Sequence, residues 1–555
     1  MTNIAAFPRA RSVVPRRVMP TLRLVEPAPP DPAPPPAERI ALDDGLLAAM
    51  GREAWLHRGV VPVTRLPGAV VLAAVSRADV ERAADALPPG LGTPVHMPAT
   101  RAAIDRAVIE ARGEDLARRA ETLAPAAVSA RTAPSPRSRL VRAAAAALAA
   151  GAAIAFPQAA FLVLLVLALA GMAAATGLRL AAFAAALRAG APQPAPAARR
   201  APPGPLPMIS LLVPLYREGP IAPDLVRALA ALDYPAGRLD LILIVEAGDD
   251  ATRAALERAE LPAGARLLTV PPGPIRTKPR ALNFALPFAR GEIVGVLDAE
   301  DRPAPDQLRV IAARFAAAPA DVACLQGVLD FYDARRSVMA RLFAIEYAAW
   351  FRAVLPGLAR LGLVVPLGGT TVYFRRQALL DVGGWDAHNV TEDAELGLRL
   401  ARAGLRTEIV GTVTAEEPND RPLAWIRQRS RWLKGYGLTW AAHMRAPRRL
   451  AADLGAVRFA AVQVLFLGTV LQFLLAPVLW TLWLGGAGPA LPPWAFRTAV
   501  TLCLLAEATN AVVALWALRR AGHGWLMPWV PAMLAYYPLA TLAAFKALAL
   551  SLIHI

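Results

Sequence analysis

Glu292–Asp301 reads EIVGVLDAED, an apolar run that ends in three acids within four residues. Ile293–Leu297 has the length and β-branched content of a strand buried on both faces. Carboxylates at the end of such a strand face solvent, a cation or a ligand, because burying them unpaired is costly. Upstream, strand-like Ile209–Pro214, Leu239–Glu246 and Leu267–Val270 alternate with helical Leu225–Leu232, Thr252–Ala259 and Arg280–Ala289. Helical Pro305–Ala317 follows the acids. This alternation predicts an α/β fold built on a largely parallel sheet with right-handed crossovers. Ligands of such sheets bind beyond the carboxyl ends of the strands.

Other polar motifs stand where that rule puts a site. Val213–Glu218 reads VPLYRE, and Val245–Asp250 reads VEAGDD. Thr277–Ala285, TKPRALNFA, carries Lys278, Arg280 and Asn283, and an ammonium group there suits a diphosphate. Pro366–Thr370 reads PLGGT, whose paired glycines permit close backbone approach by a ligand. Thr391–Asp393, TED, opens a helical stretch over Ala394–Ala403, with Thr391 suited to an N-cap and Asp393 to the first turn. Gln428–Trp432 reads QRSRW, inside a stretch where Trp425, Trp432, Tyr436 and Trp440 accompany Arg427, Arg429, Arg431 and Lys434. Each motif alone also has a plain structural reading: a polar loop, a tight turn, a capped helix, a basic aromatic helix lying in a membrane interface.

In this order VPLYRE, DAED, TED and QRSRW resemble the family 2 glycosyltransferases, in particular the membrane-embedded processive group that includes cellulose, hyaluronan and chitin synthases. The resemblance covers roughly Met208 to Lys434. It implies a GT-A-type domain with a parallel or mixed sheet, inserted between transmembrane helices. It further implies an inverting hexosyltransferase that extends a β-linked polysaccharide from a nucleotide-diphospho-sugar, with a UDP-sugar the expected donor. The alternative is a non-processive transferase acting on a lipid or lipid-linked acceptor. Carried over residue by residue, the resemblance puts Pro214, Tyr216, Glu218, Glu246, Lys278, Asp298 and Arg431 around the donor. It puts Gly368, Gly369, Thr370, Gln428 and Trp432 beside the acceptor. Asp393 becomes the general base, with Glu392 and Asp298 at the same centre. Asp298, Glu300 and Asp301 become ligands of Mg2+ or Mn2+, which suit hard oxygen donors. Two positions depart from the family: its second acid is Asp where Glu300 stands, and Asp is commoner where Glu246 stands.

Composition places this domain at a membrane. Of 555 residues 56% are hydrophobic, and the net charge is +17. Arginines flank the apolar runs, at Arg137, Arg139 and Arg142, at Arg445, Arg448 and Arg449, and at Arg519 and Arg520, as the positive-inside rule requires. No nucleic-acid-binding motif is present, so nucleic acid is not an expected partner. Leu140–Phe156 and Ala159–Phe183, separated by Pro157, are too long together for one crossing of about 20 residues and predict a hairpin. Val457–Trp483, Phe496–Leu518 and Trp525–Ile553 predict about three more helices, the last made uneven by Pro528, Pro531 and Pro538. The expected location is the cytoplasmic (inner) membrane, multi-pass, with the catalytic domain in the cytoplasm.

The chain thus divides into a disordered Pro-rich tail (1–38), a small α/β domain (39–123), a linker (124–139), two membrane helices (140–187), a second linker (188–207), the catalytic domain (208–424), an interfacial QRSRW helix (425–452) and about three membrane helices (453–555). The tail lacks the apolar core of a secretory leader. The small domain resembles the N-terminal domain of type II secretion ATPases. In some relatives that domain binds a cyclic dinucleotide, which implies a regulatory module, and a docking domain is the other reading. Cys324 and Cys503 are expected to be separate buried thiols.

Overall fold

The computed structural model describes residues 40–49, 52–85, 87–133, 135–188, 205–484 and 491–553. The expected tail over 1–38 and most of the 188–207 linker lie outside them. The small domain has three strands, β1 (Val60–Leu66), β2 (Ala69–Ala74) and β3 (Thr93–Pro98). β1 and β2 are antiparallel, and β2 and β3 are parallel. Ser76 caps the Arg77–Ala84 helix in a reciprocal capping box with Asp79. Two elements were not anticipated, β3 and the 22-residue helix Arg101–Thr122. That helix packs on β6 and on helix Lys278–Ala285 of the catalytic domain.

The larger sheet has eight strands: β4 (Ile209–Leu215), β5 (Leu239–Glu246), β6 (Ala265–Val270), β7 (Ile293–Val296), β8 (Arg302–Pro303), β9 (Val322–Phe331), β10 (Val372–Arg375) and β11 (Arg406–Glu416). Their order is β6-β5-β4-β7-β10-β9-β11-β8. The first four run parallel. β10 is antiparallel to both β7 and β9, so the sheet as a whole is mixed. Every residue of β5 is buried, because helices cover both faces and its LDLILIVE sequence has no solvent side to serve. β6 lies at the edge and alternates buried with half-buried residues.

Residues 124–133 are not a free linker. Ala124, Val128 and Ser129 are buried. The Ser129 hydroxyl and the Ala130 N–H donate to the Asp386 carboxylate at 2.8 and 2.6 Å, which fastens the segment to the catalytic domain.

Five described helical segments are long and apolar enough to cross a membrane: Pro157–Arg188, Val338–Arg360, Pro447–Trp480, Pro493–Ala521 and Gly524–Ser551. The Ala-rich first helix of the expected hairpin, Pro136–Ala155, forms but is not one of the five. Val338–Arg360 was not expected among them. It connects β9 to β10, which are hydrogen-bonded neighbours, so a single crossing between them is geometrically excluded. Its apolar residues instead pack into protein. The uneven last stretch is a 3-10 segment over Gly524–Ala532 followed by helix Met533–Ile553. Cys324 and Cys503 are both buried free thiols.

Candidate active site

Three parallel strands deliver the site. β4 ends in the VPLYRE turn, where Arg217 adopts a left-handed φ of 62°. Its N–H donates to Asp249 at 2.5 Å and that of Glu218 to Thr252 at 2.9 Å, and these bonds hold a conformation that is unfavourable for a residue with a side chain. β5 ends at Glu246, and β7 gives way to Asp298. Beyond these ends lies a cavity of about 240 Å3 lined by Pro214, Tyr216, Glu218, Glu246, Lys278 and Asp298, together with Glu300. Of the expected donor residues, Arg431 does not line it.

Lys278 is the junction of the site. Its ammonium donates to Asp298 and, at 2.7 Å, to the Gly369 carbonyl. Burial pulls its pKa down, yet Asp298 and Glu392 outweigh burial and hold it above the ordinary lysine value. A Cβ on Gly369 would stand 3.2 Å from the Asp393 carboxylate and 3.5 Å from the Lys278 nitrogen, so PLGGT, TED and TKPRALN meet closely at this glycine. Gly368 is fixed by its N–H bond to Gln326, 2.8 Å.

The DAED turn is fastened from within. Asp301 is buried, and its Oδ2 accepts from the Asp298 N–H at 2.7 Å and from the Thr370 hydroxyl. Its Oδ1 is buried without a hydrogen-bond partner. Burial, then the charge of Asp298, pushes the carboxyls of Asp301 and Glu300 up. Glu416 joins this group from the end of β11, raised by burial and then by Asp301 and Asp298. Sequence reading missed Glu416, although its pattern, an acid closing a strand, is the one that singled out DAED. Among the described residues no three His, Cys, Asp or Glu side chains are close enough to hold a metal unaided. The donor set nevertheless fits a divalent cation. Asp298 and Glu300 offer hard oxygens on the cavity wall, Asp301 Oδ1 lacks a partner, and these like charges destabilise one another without a cation.

TED begins helix Glu392–Arg402, two residues before the expected start. Thr391 occupies the N-cap position but makes no capping bond. Its N–H turns instead to the Asn389 side chain at 3.1 Å. Asp393 accepts from the Ala394 N–H at 2.7 Å. Burial raises both acids. Asp393 reaches about 6, restrained by that N–H and by Lys278, whereas Glu392, raised further by Asp393, reaches about 8. The helix is anchored by fully buried Glu395, which accepts from Arg399 at 2.7 Å and meets His443 at 3.0 Å.

QRSRW lies in helix Pro422–His443. Gln428 accepts from Asn419 at 2.8 Å, and Trp432 is half-buried. The inward cation is Arg429, which pairs with Glu346 at 2.6 Å and lies 4.8 and 4.6 Å from the rings of Trp425 and Trp432. Arg431 is exposed. Trp425, Arg429, Trp432 and Tyr436 recur at four, three and four residues, so this face was visible in the sequence as a helical stripe.

Residues 205–435 match the family described as glycosyltransferase-like family 2. The chain is 28% identical to the beta-monoglucosyldiacylglycerol synthase of Trichormus variabilis, over 42% of this chain and 49% of that protein. It is 25% identical to the cellulose synthase 1 catalytic subunit of Komagataeibacter xylinus, over 42% of this chain and 31% of that one. A solved structure, the mannosyltransferase PcManGT from Pyrobaculum calidifontis in complex with GDP-Man and Mn2+, is 24% identical and covers 64% of this chain and 99% of its own, with a TM-score of 0.43. The chain spans about half the length of the first curated relatives that it matches. The matched segment contains the mixed sheet, the cavity at its strand ends and all four motifs, so the similarity to the family 2 glycosyltransferases falls on the part of the chain that builds this site.

Proposed function

We propose that this protein is an inverting membrane glycosyltransferase. It would move a sugar from a nucleotide-diphospho-sugar, with a UDP-sugar the expected donor, to a growing β-linked polysaccharide at the cytoplasmic face of the inner membrane. The observation that carries this reading is the Lys278 junction. One ammonium bonds Asp298 of the donor cavity and, through the Gly369 carbonyl, stands beside Asp393. Donor and acceptor chemistry thereby meet on two sides of one point.

In the reaction the acceptor hydroxyl gives its proton to Asp393 as its oxygen bonds the anomeric carbon, and the bond from that carbon to the diphosphate breaks on the opposite side. A single displacement inverts the carbon and needs no covalent intermediate. Lys278 stands where the departing diphosphate gains negative charge. Mg2+ or Mn2+, held by Asp298 and Glu300 with Asp301 behind them, would supply charge neutralisation for that group. Asp393, at about 6, is ionised at neutral pH and ready to accept a proton. Gly368, Gly369, Thr370, Gln428 and Trp432 make the acceptor side, and Arg429 supports Trp432 from behind.

Membrane embedding rests on the long apolar helices. A second reading, transfer to a lipid acceptor, is favoured by the relatives, which include lipid glycosyltransferases as well as a cellulose synthase. Incubating purified protein with UDP-glucose, UDP-N-acetylglucosamine and GDP-mannose, with Mg2+ or Mn2+, tests both. Nucleotide release with a product that lengthens over time supports the polymer reading. A product of fixed size that partitions with lipid selects the second. Release from none of the donors would sink the transferase reading.

A further inference from the structure

Arg280 is among the largest side chains in the molecule with no exposed surface at all. It stands two residues into the helix that Lys278 opens, behind the wall of the cavity. Its Nε donates to Glu121 Oε1 at 2.9 Å, its Nη2 donates to the Pro271 carbonyl at 2.8 Å, and its Nη1 lies 3.5 Å from Glu246 Oε2. Glu246 lines the cavity, whereas Glu121 is the penultimate residue of helix Arg101–Thr122 in the small domain. The chain around this triad is fitted to it. A Cβ on Gly273 would lie 2.2 Å from Arg280 Nη2 and 2.6 Å from Glu121 Oε1, so a side chain there would have to push this pair aside. The same helix end grips the other half of the site. The Ala120 carbonyl accepts from Asn283 at 2.8 Å, and the Glu121 carbonyl lies 3.1 Å from His388 Nε2, on the segment that leads into TED.

We propose that the small domain is a constituent of the nucleotide-binding wall: Glu121 clamps Arg280, and Arg280 in turn positions Glu246 to accept a hydrogen bond from the base or ribose of the bound nucleotide. The proposal rests on reading the cavity as the donor site. A fully buried guanidinium needs a counter-charge and acceptors for its five N–H groups. With Glu121 present, that need is shared, and Glu246 keeps lone pairs free toward the cavity. With Glu121 neutralised, Glu246 becomes the only counter-ion and turns from the nucleotide toward Arg280. Glu121 is therefore a positioning residue whose loss weakens donor binding without touching the groups that break and make bonds. The longer reach of glutamate at 246 belongs to the same arrangement, because it must meet a nucleotide in front and a guanidinium behind.

Two substitutions in the full-length protein separate this from simple docking. Glu121→Gln alters the triad. Asp105→Asn alters the other buried ion pair between the domains, that of Asp105 with Arg266, which does not line the cavity. Glu121→Gln should raise the donor KM and the Kd for free UDP by about tenfold and leave kcat within about twofold. Asp105→Asn should lower the thermal midpoint and leave both binding constants unchanged. Should Glu121→Gln fail to fold, Glu121→Asp, shorter by one methylene, should give a smaller rise of the same sign. The proposal is overturned if the Glu121 variants bind donor as wild type does, or if Asp105→Asn weakens binding equally. Wild-type protein that binds neither UDP nor GDP would remove the donor-site reading itself, and this proposal with it.

Discussion

Two adjacent carboxylates in one buried turn do not both ionise cheaply, and the environment decides which one does. Glu392, raised to about 8, keeps its proton near neutrality, while Asp393, at about 6, gives its proton up. Transfer should therefore fall as pH drops through about 6. Asp393→Asn should cost on the order of 10^2 to 10^4 in kcat, leave donor KM nearly unchanged and abolish that acid limb. An acid limb that survives the substitution would move the base elsewhere, and kcat measured across pH in both proteins decides it. Glu392 also yields a stability prediction. Its folded value stands above its ordinary value of 4.5, so its contribution is present below about 4.5 and is lost as pH rises through about 8. Glu392→Gln removes this penalty. Its gain in thermal midpoint should be small at about pH 5, grow with pH and level off above about pH 8. A gain that is the same at every pH would contradict the assignment. The identity of both acids was legible from TED alone. Their unequal protonation was not, because it comes from burial that only the folded chain creates, from the charge of Asp393 on Glu392, and from the Ala394 N–H and then Lys278, more than a hundred residues away, that restrain Asp393.

Helix Pro422–His443 shows how a motif and a periodicity disagree. The family pattern singles out Arg431, but the stripe Trp425–Arg429–Trp432–Tyr436 puts Arg429 on the buried face. Arg429→Leu would leave Glu346 without its guanidinium, and breaking a largely buried pair of this kind costs about 3–5 kcal/mol. Arg431→Ala, at an exposed position, should change stability by no more than about 0.5 kcal/mol. Chemical denaturation of the two variants in the same detergent checks the contrast, and equal losses would refute it. Other elements were legible in proportion to their patterning. β4, β5 and β7 were placed to within one residue at either end, because each is a continuous apolar run closed by a polar strand end. The Arg101–Thr122 helix escaped notice because half of its buried residues are alanine or glycine, which gives little contrast against its many charges. β8 is a two-residue pairing with β11 that only tertiary contact defines.

Apolar composition serves a protein core and a bilayer alike, so hydropathy alone could not tell Val338–Arg360 from a membrane span. The pairing of β9 with β10 does. The same reasoning constrains the remaining helices. Residues 124–133 and the Arg101–Thr122 helix are bonded to the catalytic domain, and Arg360 of that domain bonds the Ala186 carbonyl at 3.1 Å near the end of Pro157–Arg188. A hairpin over Pro136–Arg188 that crosses the membrane would therefore have both ends on the catalytic side and its turn at Phe156 on the other. Likewise His523, just beyond Pro493–Ala521, lies 3.0 Å from Asp330 at the end of β9, so a chain that crosses along Pro447–Trp480 would have come back by then. Cysteines introduced one at a time, in a background with Cys324 and Cys503 replaced by serine, make this measurable with a membrane-impermeant maleimide. Arg77→Cys in the small domain and Arg227→Cys in the catalytic domain, both highly exposed, should label from the cytoplasmic face only. Phe156→Cys and Pro492→Cys should label from the opposite face only. Labelling of Arg77→Cys and Arg227→Cys from different faces would break the shared-compartment argument. Labelling of Phe156→Cys from the cytoplasmic face would mean that the first hairpin lies along the membrane instead of crossing it.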